Sequence, residues 1–380
     1  MLIGVESDGS AWTRRGGGEW RVSEGLLRTR AAAALLVALA AAACDRSPAP
    51  FHETLRQRAG AGDAEALSWL VSAAEQDRAG AQASLGLLYL GGEGVERDTP
   101  AAARWLCAAA GRGSEEALAA ITAAAEAGDP GLRNTLGLMH LHGYGVPRNT
   151  AMAVRWIDAA ATLGYPGGQY NLALLYGAGR GVARNDSAAV AWLETAARAG
   201  HAGARNALGL RHLDGNGVTQ DSDAAIRWFR AAAEQGHAGA QNHLGQAYAL
   251  GLGVIPDDME AMYWFGAAAE QGDPVAQYNL SFLYARHGNT AEAVRWMRAA
   301  AERGYADAQF SLATEYMSRD MHAYAWLHLA AEQGHEEADR RRQALWEYMT
   351  HDDVSLAEEL SADLTRRTGD PDPERQACGR

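Results

Sequence analysis

Phenylalanine occurs five times in 380 residues, cysteine three times, and no basic run of the kind that neutralises phosphates appears. Each scarcity closes something off. So few phenylalanines argue against a broad aromatic core, and the abundant Ala and Gly suit helices that approach one another closely. Cys44, Cys107 and Cys378 fall in three different contexts and do not look like a disulfide framework. Cys107, two residues after Trp105, reads as a packed and inert helical thiol. Acidic residues outnumber basic ones by 47 to 34, a net charge of −13, and that field repels phosphate backbones. Nucleic acid is therefore not expected as a partner.

Motifs that carry chemistry are missing as well. There is no Gly-x-x-x-x-Gly-Lys-Ser/Thr and no Gly-x-Gly-x-x-Gly after a strand, so no nucleotide cofactor is expected. No His-Glu-x-x-His occurs, and His140 and His142 stand two apart, which turns them to different sides of a helix. No Gly-x-Ser-x-Gly elbow is present. The segment from Asp214 to Asp221 has something of a calcium loop, but its Gly and Glu positions do not fit, and the same turn recurs elsewhere without the acids. The sequence nominates no catalytic, cofactor or metal residue.

What is present begins with an apolar run of 13 residues, 31–43, preceded by Arg28 and Arg30. That is the length of a signal-peptide core and too short to span a bilayer comfortably. The residues up to Cys44 resemble a bacterial lipobox, with Ala41 where Leu is usual three positions before the cysteine. The resemblance implies export, lipidation of Cys44 and anchoring to the membrane from the periplasmic side. Ordinary cleavage near Ala43 or Ala49 would instead release a soluble periplasmic protein. Asp45 resembles the inner-membrane retention signal of some Gram-negative lipoproteins. Residues 1–27 carry Glu6, Asp8, Glu19 and Glu24, an odd start for a signal peptide, which suggests a translation start nearer Val22 or Leu26.

The rest of the chain is periodic. Trp69, Trp105, Trp156, Trp192, Trp228, Trp264, Trp296 and Trp326 are spaced 36, 51, 36, 36, 36, 32 and 30 residues apart. Leu85, Leu136, Leu172, Leu208, Leu244, Leu280 and Leu312 follow the same rhythm. Within one unit, Ala240, Leu244 and Tyr248 at i, i+4 and i+8 make the stripe of a first helix. A Gly-x-Gly-Val turn follows, and acidic, Asn, Ser or Thr residues cap a second helix. Trp264, Ala267 and Ala268 are expected as that helix's packing face, and Gly272 ends it. The 51-residue gap exceeds the period by 15, which places a degenerate half-repeat near Ser114–Gly128.

The pattern Ala-x-x-x-Leu-Gly-x-x-Tyr, Gly-x-Gly-Val, Ala-x-x-Trp, Ala-Ala-Glu-x-Gly resembles the Sel1-like repeat, a relative of the tetratricopeptide repeat, over about residues 64–340. The resemblance implies an all-α, right-handed α/α superhelical solenoid that works as an adaptor, in many bacterial members within the envelope. The chain then divides into an extension, 1–30; the export core and lipobox-like segment, 31–44; a linker and N-terminal cap, 45–62; an array of about seven repeats, 63–349; a capping helix, 350–367; and a disordered tail, 368–380.

On a 3.6-residue helix, positions two before and two after the repeat leucine lie at about 160° and 200° from it. That side would be polar if it met only water, yet it carries Asn, aromatic and aliphatic residues. Either it packs on the adjacent repeat, or it lines a concave groove for a protein or peptide partner. On the second reading the binding residues are Tyr170, Asn206, Asn242, Tyr278 and Phe310. Two alternatives stand beside the envelope adaptor: an envelope enzyme acting on peptidoglycan or β-lactams, and a cytosolic scaffold with 31–43 as a buried helix.

Overall fold

The computed structural model describes residues 3–5, 11–13, 21–22, 49–316, 321–368 and Cys378, with side chains from 51 to 314, from 321 to 366 and at Cys378. The export core and Cys44 lie outside the described residues. Two compact units emerge, Met1–Asp98 and Thr99–Arg380.

In the first unit a small antiparallel sheet joins β1 (Ile3–Val5), β2 (Ala11–Thr13) and β3 (Arg21–Val22), with Ile3 opposite Thr13 and Trp12 opposite Val22. No strand was expected there. Three helices follow: α1 (Ala49–Gly60), α2 (Ala64–Glu75) and α3 (Ala79–Gly91). Asp63 starts α2 by accepting from the amides of Glu65 and Ala66, two of the donors that a helix N-terminus leaves unpaired.

The second unit is a chain of helix pairs, all-α among its described residues. It comprises α4 (Thr99–Gly111), α5 (Glu115–Glu126), α6 (Pro130–His142), α7 (Thr150–Thr162), α8 (Pro166–Ala178), α9 (Asp186–Arg198), α10 (Ala202–Asp214), α11 (Ser222–Ala233), α12 (Ala238–Leu250), α13 (Asp258–Glu270), α14 (Pro274–Arg286), α15 (Thr290–Glu302), α16 (Ala306–Ser311), α17 (Met321–Glu332), α18 (Glu336–Trp346) and α19 (His351–Thr368). A π-helical turn, Leu312–Tyr316, follows α16. From α4 to α18 each helix packs on the next in sequence, which is the contact pattern of a solenoid. The single helix α5 occupies the extra half-period, and α19 packs on α17 in the segment expected to cap the array.

The sequence builds these pairs with recurring devices. Asn149, Asn185, Asp221 and Asp257 cap the second helices through side-chain oxygens. The second glycine of each turn rests on the preceding repeat. Gly217, at φ 81°, lies so close that a Cβ would stand 2.6 Å from the Asp186 carbonyl oxygen. A buried side chain three residues before the repeat leucine reaches back eight residues to a carbonyl at the end of the previous helix. Gln241 donates to Ala233, Gln277 to Ala269 and Gln309 to Ala301, at 3.2, 3.0 and 3.1 Å. Arg133 and Arg205 do the same from Nε. These bonds satisfy carbonyls that the helix C-terminus leaves open.

Two expectations need correction. The deep face of a second helix begins one residue after its tryptophan: Phe265, Ala268 and Ala269 are buried, while Trp264 is half-exposed and donates from Nε1 to Glu260. In this pair the smaller following side chain takes the core and the indole lies at its edge, whereas Trp326 in α17 is itself buried. Cysteine is the second case. Cys107 and Cys378 form a disulfide with their Cα atoms 5.6 Å apart, so Cys107 is no free thiol and the tail holds at least one ordered residue. A separation of 271 residues leaves no local spacing to read. Cys107 is fully buried, as expected of a packed residue, although the same position of other second helices carries exposed Asp158, Arg230 and Arg298.

Candidate interaction surface

The nominated residues all lie on first helices of the second unit, on the side turned from the core leucines. The structure gives that side an inter-repeat ladder. Asn171 Nδ2 donates to Asn134 Oδ1 at 2.8 Å, and Asn279 Nδ2 donates to Asn242 Oδ1 at 3.0 Å. His243 Nδ1 and Asn206 Oδ1 stand 2.9 Å apart. Every rung joins the position two before one repeat leucine to the position one before the next. Tyr278 Oη and Ser311 Oγ, at 3.3 Å, extend it across the shorter repeat.

The five nominated residues thus part company. Asn242 is 5% exposed and its oxygen is engaged by Asn279, so its role in this structure is to join repeats. Asn206 is half-buried against His243. Tyr170 stacks on His201 with centroids 4.8 Å apart. Tyr278 meets Phe282 and Tyr305 edge-on, at 4.8 and 5.1 Å. Phe310 stacks on His335 at 4.5 Å, with the Arg341 guanidinium 5.1 Å from its ring centroid. Tyr170, Tyr278 and Phe310 keep part of their surface in solvent. More accessible still are Leu174 and Phe282, two positions after their repeat leucines and 43% and 44% exposed. The ladder partners Asn171, His243 and Asn279 were not singled out from the sequence; the 36-residue recurrence of polar residues beside the core leucine was the available signal.

The electrostatics are quiet. Burial pushes the Tyr170 phenol up, and it pushes the His201 and His243 imidazoles down. Tyr305 is pushed up to about 12 by burial and then by its bond to Asp307. Near neutral pH these groups are uncharged, and the surface offers rings, amides and aliphatic side chains. Among the described residues, no three His, Cys, Asp or Glu side chains are placed to hold a metal ion. His140 Nδ1 lies 3.4 Å from the Pro147 carbonyl, beside its own turn.

Comparison with known proteins follows the same period. A family model described as the Sel1 repeat matches residues 79–114, 135–165, 166–201, 202–237, 238–273, 274–305 and 306–335. Among solved structures, the chain is similar to a Sel1 repeat protein from Oxalobacter formigenes, at 30% identity over 80% of this chain and 94% of that one, with a TM-score of 0.51. It is also similar to c5321, described as a protective antigen of uropathogenic Escherichia coli displaying an SLR fold, at 28% identity over 84% and 68% of the two chains, with a TM-score of 0.50. No curated protein matches the sequence.

Proposed function

The chain belongs to the Sel1 repeat family, whose members are generally protein-interaction scaffolds without catalysis of their own, and we propose that this one holds a protein or peptide segment along the inner face of its first helices, within the bacterial envelope. The observation that carries the reading is the side-chain ladder. Successive first helices touch through Asn134–Asn171, Asn206–His243 and Asn242–Asn279, and in this reading their shared side is the inner wall of the array. Along that wall Leu174 and Phe282 are exposed, with Tyr170, Tyr278 and Phe310 beside them. Rigid aromatic anchors and neutral polar groups suit an extended peptide, whose backbone needs hydrogen bonds and whose side chains need pockets.

Export is supported by the apolar run 31–43 and by the Cys107–Cys378 disulfide, since such bonds persist in oxidising compartments. Anchoring would come from lipid on Cys44.

The chain contains no lysine, so amine-reactive cross-linkers have almost nothing to attack. The test is a photoreactive residue placed at Leu174 or Phe282, with Asp158 on a second helix as control, expressed in the source bacterium. One discrete protein adduct from both inner sites, absent at Asp158 and lost on Tyr170→Ala plus Tyr278→Ala, is the expected result. Adducts from all three sites alike, or none from the inner pair, would overturn the proposal. Fractionation of the same cells tests location: recovery of the chain in the cytosol would sink the envelope assignment.

A further inference from the structure

One repeat departs from its neighbours on a different surface. In the unit 238–273, Leu250, Leu252, Ile255, Met259 and Tyr263 are all exposed, from 39% at Leu252 to 85% at Ile255. Leu250 ends α12, Leu252 and Ile255 lie in the turn, and Met259 and Tyr263 are four apart on the opening turns of α13. At the same five positions of the preceding repeat stand Asp214, Asn216, Thr219, Asp223 and Arg227. The array thus contains its own control: the backbone device is the same, and only here is its outer surface apolar. Isolated exposed apolar residues mean little, but five gathered at one turn of an otherwise polar repeat edge mark a contact surface.

Acids outnumber cations around it, the nearby Arg227 and Arg286 each being paired to an acid. From residue 231 to residue 285 there is no Lys or Arg, while Glu234, Asp257, Asp258, Glu260, Glu270 and Asp273 are present. Pro256 stands where Arg97, Arg148 and Arg184 stand in other turns, and Tyr263 stands where Arg104, Arg155, Arg227 and Arg295 stand in other second helices. The turn also sits on the start of α11, where a Cβ on Gly253 would be 3.0 Å from the Ser222 carbonyl oxygen, which brings Asp223 to its edge together with Asp221, itself paired with Arg227. Asp258 is the one acid of the turn paired from the next repeat, by Arg286 and His287.

We propose that this patch docks a cationic amphipathic peptide segment, one with Leu-, Ile- or Phe-type side chains flanked by Lys or Arg. The apolar side chains would cover Ile255, Met259 and Tyr263, and the cations would meet Asp223, Asp257 and Glu260. The same acids disfavour a second copy of this chain, which would bring like charge against like, and an anionic bilayer.

The test uses the full chain and a fluorescent Leu–Lys amphipathic peptide, read by anisotropy. Its variant carries Ile255→Thr, Met259→Asp and Tyr263→Arg, the residues of the preceding repeat, which keeps the net charge and a turn already known to this array. With circular dichroism unchanged, the variant should bind at least tenfold more weakly, wild-type binding should fall with salt, and the matching Leu–Glu peptide should not bind. Equal binding by wild type and variant, or equal binding of the two peptides, would overturn the proposal. So would self-association of the wild type alone in sedimentation, or flotation of the wild type alone with phosphatidylglycerol vesicles, each of which names a different occupant.

Discussion

Asn171, His243 and Asn279 occupy one position of the repeat and make one bond each, to the amide oxygen of the first helix before. Only His243 can gain a proton. Burial lowers its pKa, outweighing the opposing pull of Asp273, and nearby His237 adds to the lowering. Because the folded value lies below the unfolded 6.5, the neutral form favours folding above that pH, and the contribution is lost as pH falls from 6.5 through the folded value. His243→Asn keeps a side chain that serves this position twice elsewhere. Melting temperatures at about pH 7.5 and about pH 5.5 should therefore differ less in the variant than in the wild type; an equal difference would show that His243 carries no part of the acid sensitivity. That this face is unusual was legible, since Asn and rings opposite a core stripe are odd. Their division into rungs and exposed anchors was not, because it depends on how far one repeat is turned against the next.

In two helix pairs a size rule governs the closest contact, while a third keeps its glycine, Gly137, against the smaller Ile157. The residue after the repeat leucine meets the residue after the repeat tryptophan. Gly209 faces Phe229 and Gly245 faces Phe265, where a Cβ would stand 2.4 and 2.6 Å from the ring. In a neighbouring pair, Ala173 shares a cluster with the smaller Leu193. Gly209→Ala alone should thus cost about 1–3 kcal/mol by overpacking. Adding Phe229→Leu recreates the Ala–Leu combination and should recover part of it, a coupling of about 1 kcal/mol in a denaturation double-mutant cycle. Strict additivity would refute the rule. Helix starts, turns and ends were readable because caps and glycines act locally. The shift of the core face from Trp264 to Phe265 was not, because periodicity alone fixes a face only to within one residue.

At the scale of the molecule the sequence conveys a period, and the disulfide is what the period hides. Linking residues 271 apart removes much of the unfolded chain's freedom, up to about 5 kcal/mol on the loop-closure account. Cys378→Ser, or reduction of the wild type, should lower the melting temperature by several degrees and slow the denatured chain on a non-reducing gel. No mobility difference between reduced and oxidised chain would exclude the bond. The bond also decides where tension travels. A pull applied before Cys107 and after Cys378 crosses from sulfur to sulfur, so all repeats from 135 to 335 hang beside the load path and feel none of it. While the bond is whole, the chain could be tugged at both ends and keep those repeats undeformed; once it is reduced, the same tug would draw the repeats out one after another, like a spring cut loose from its clasp.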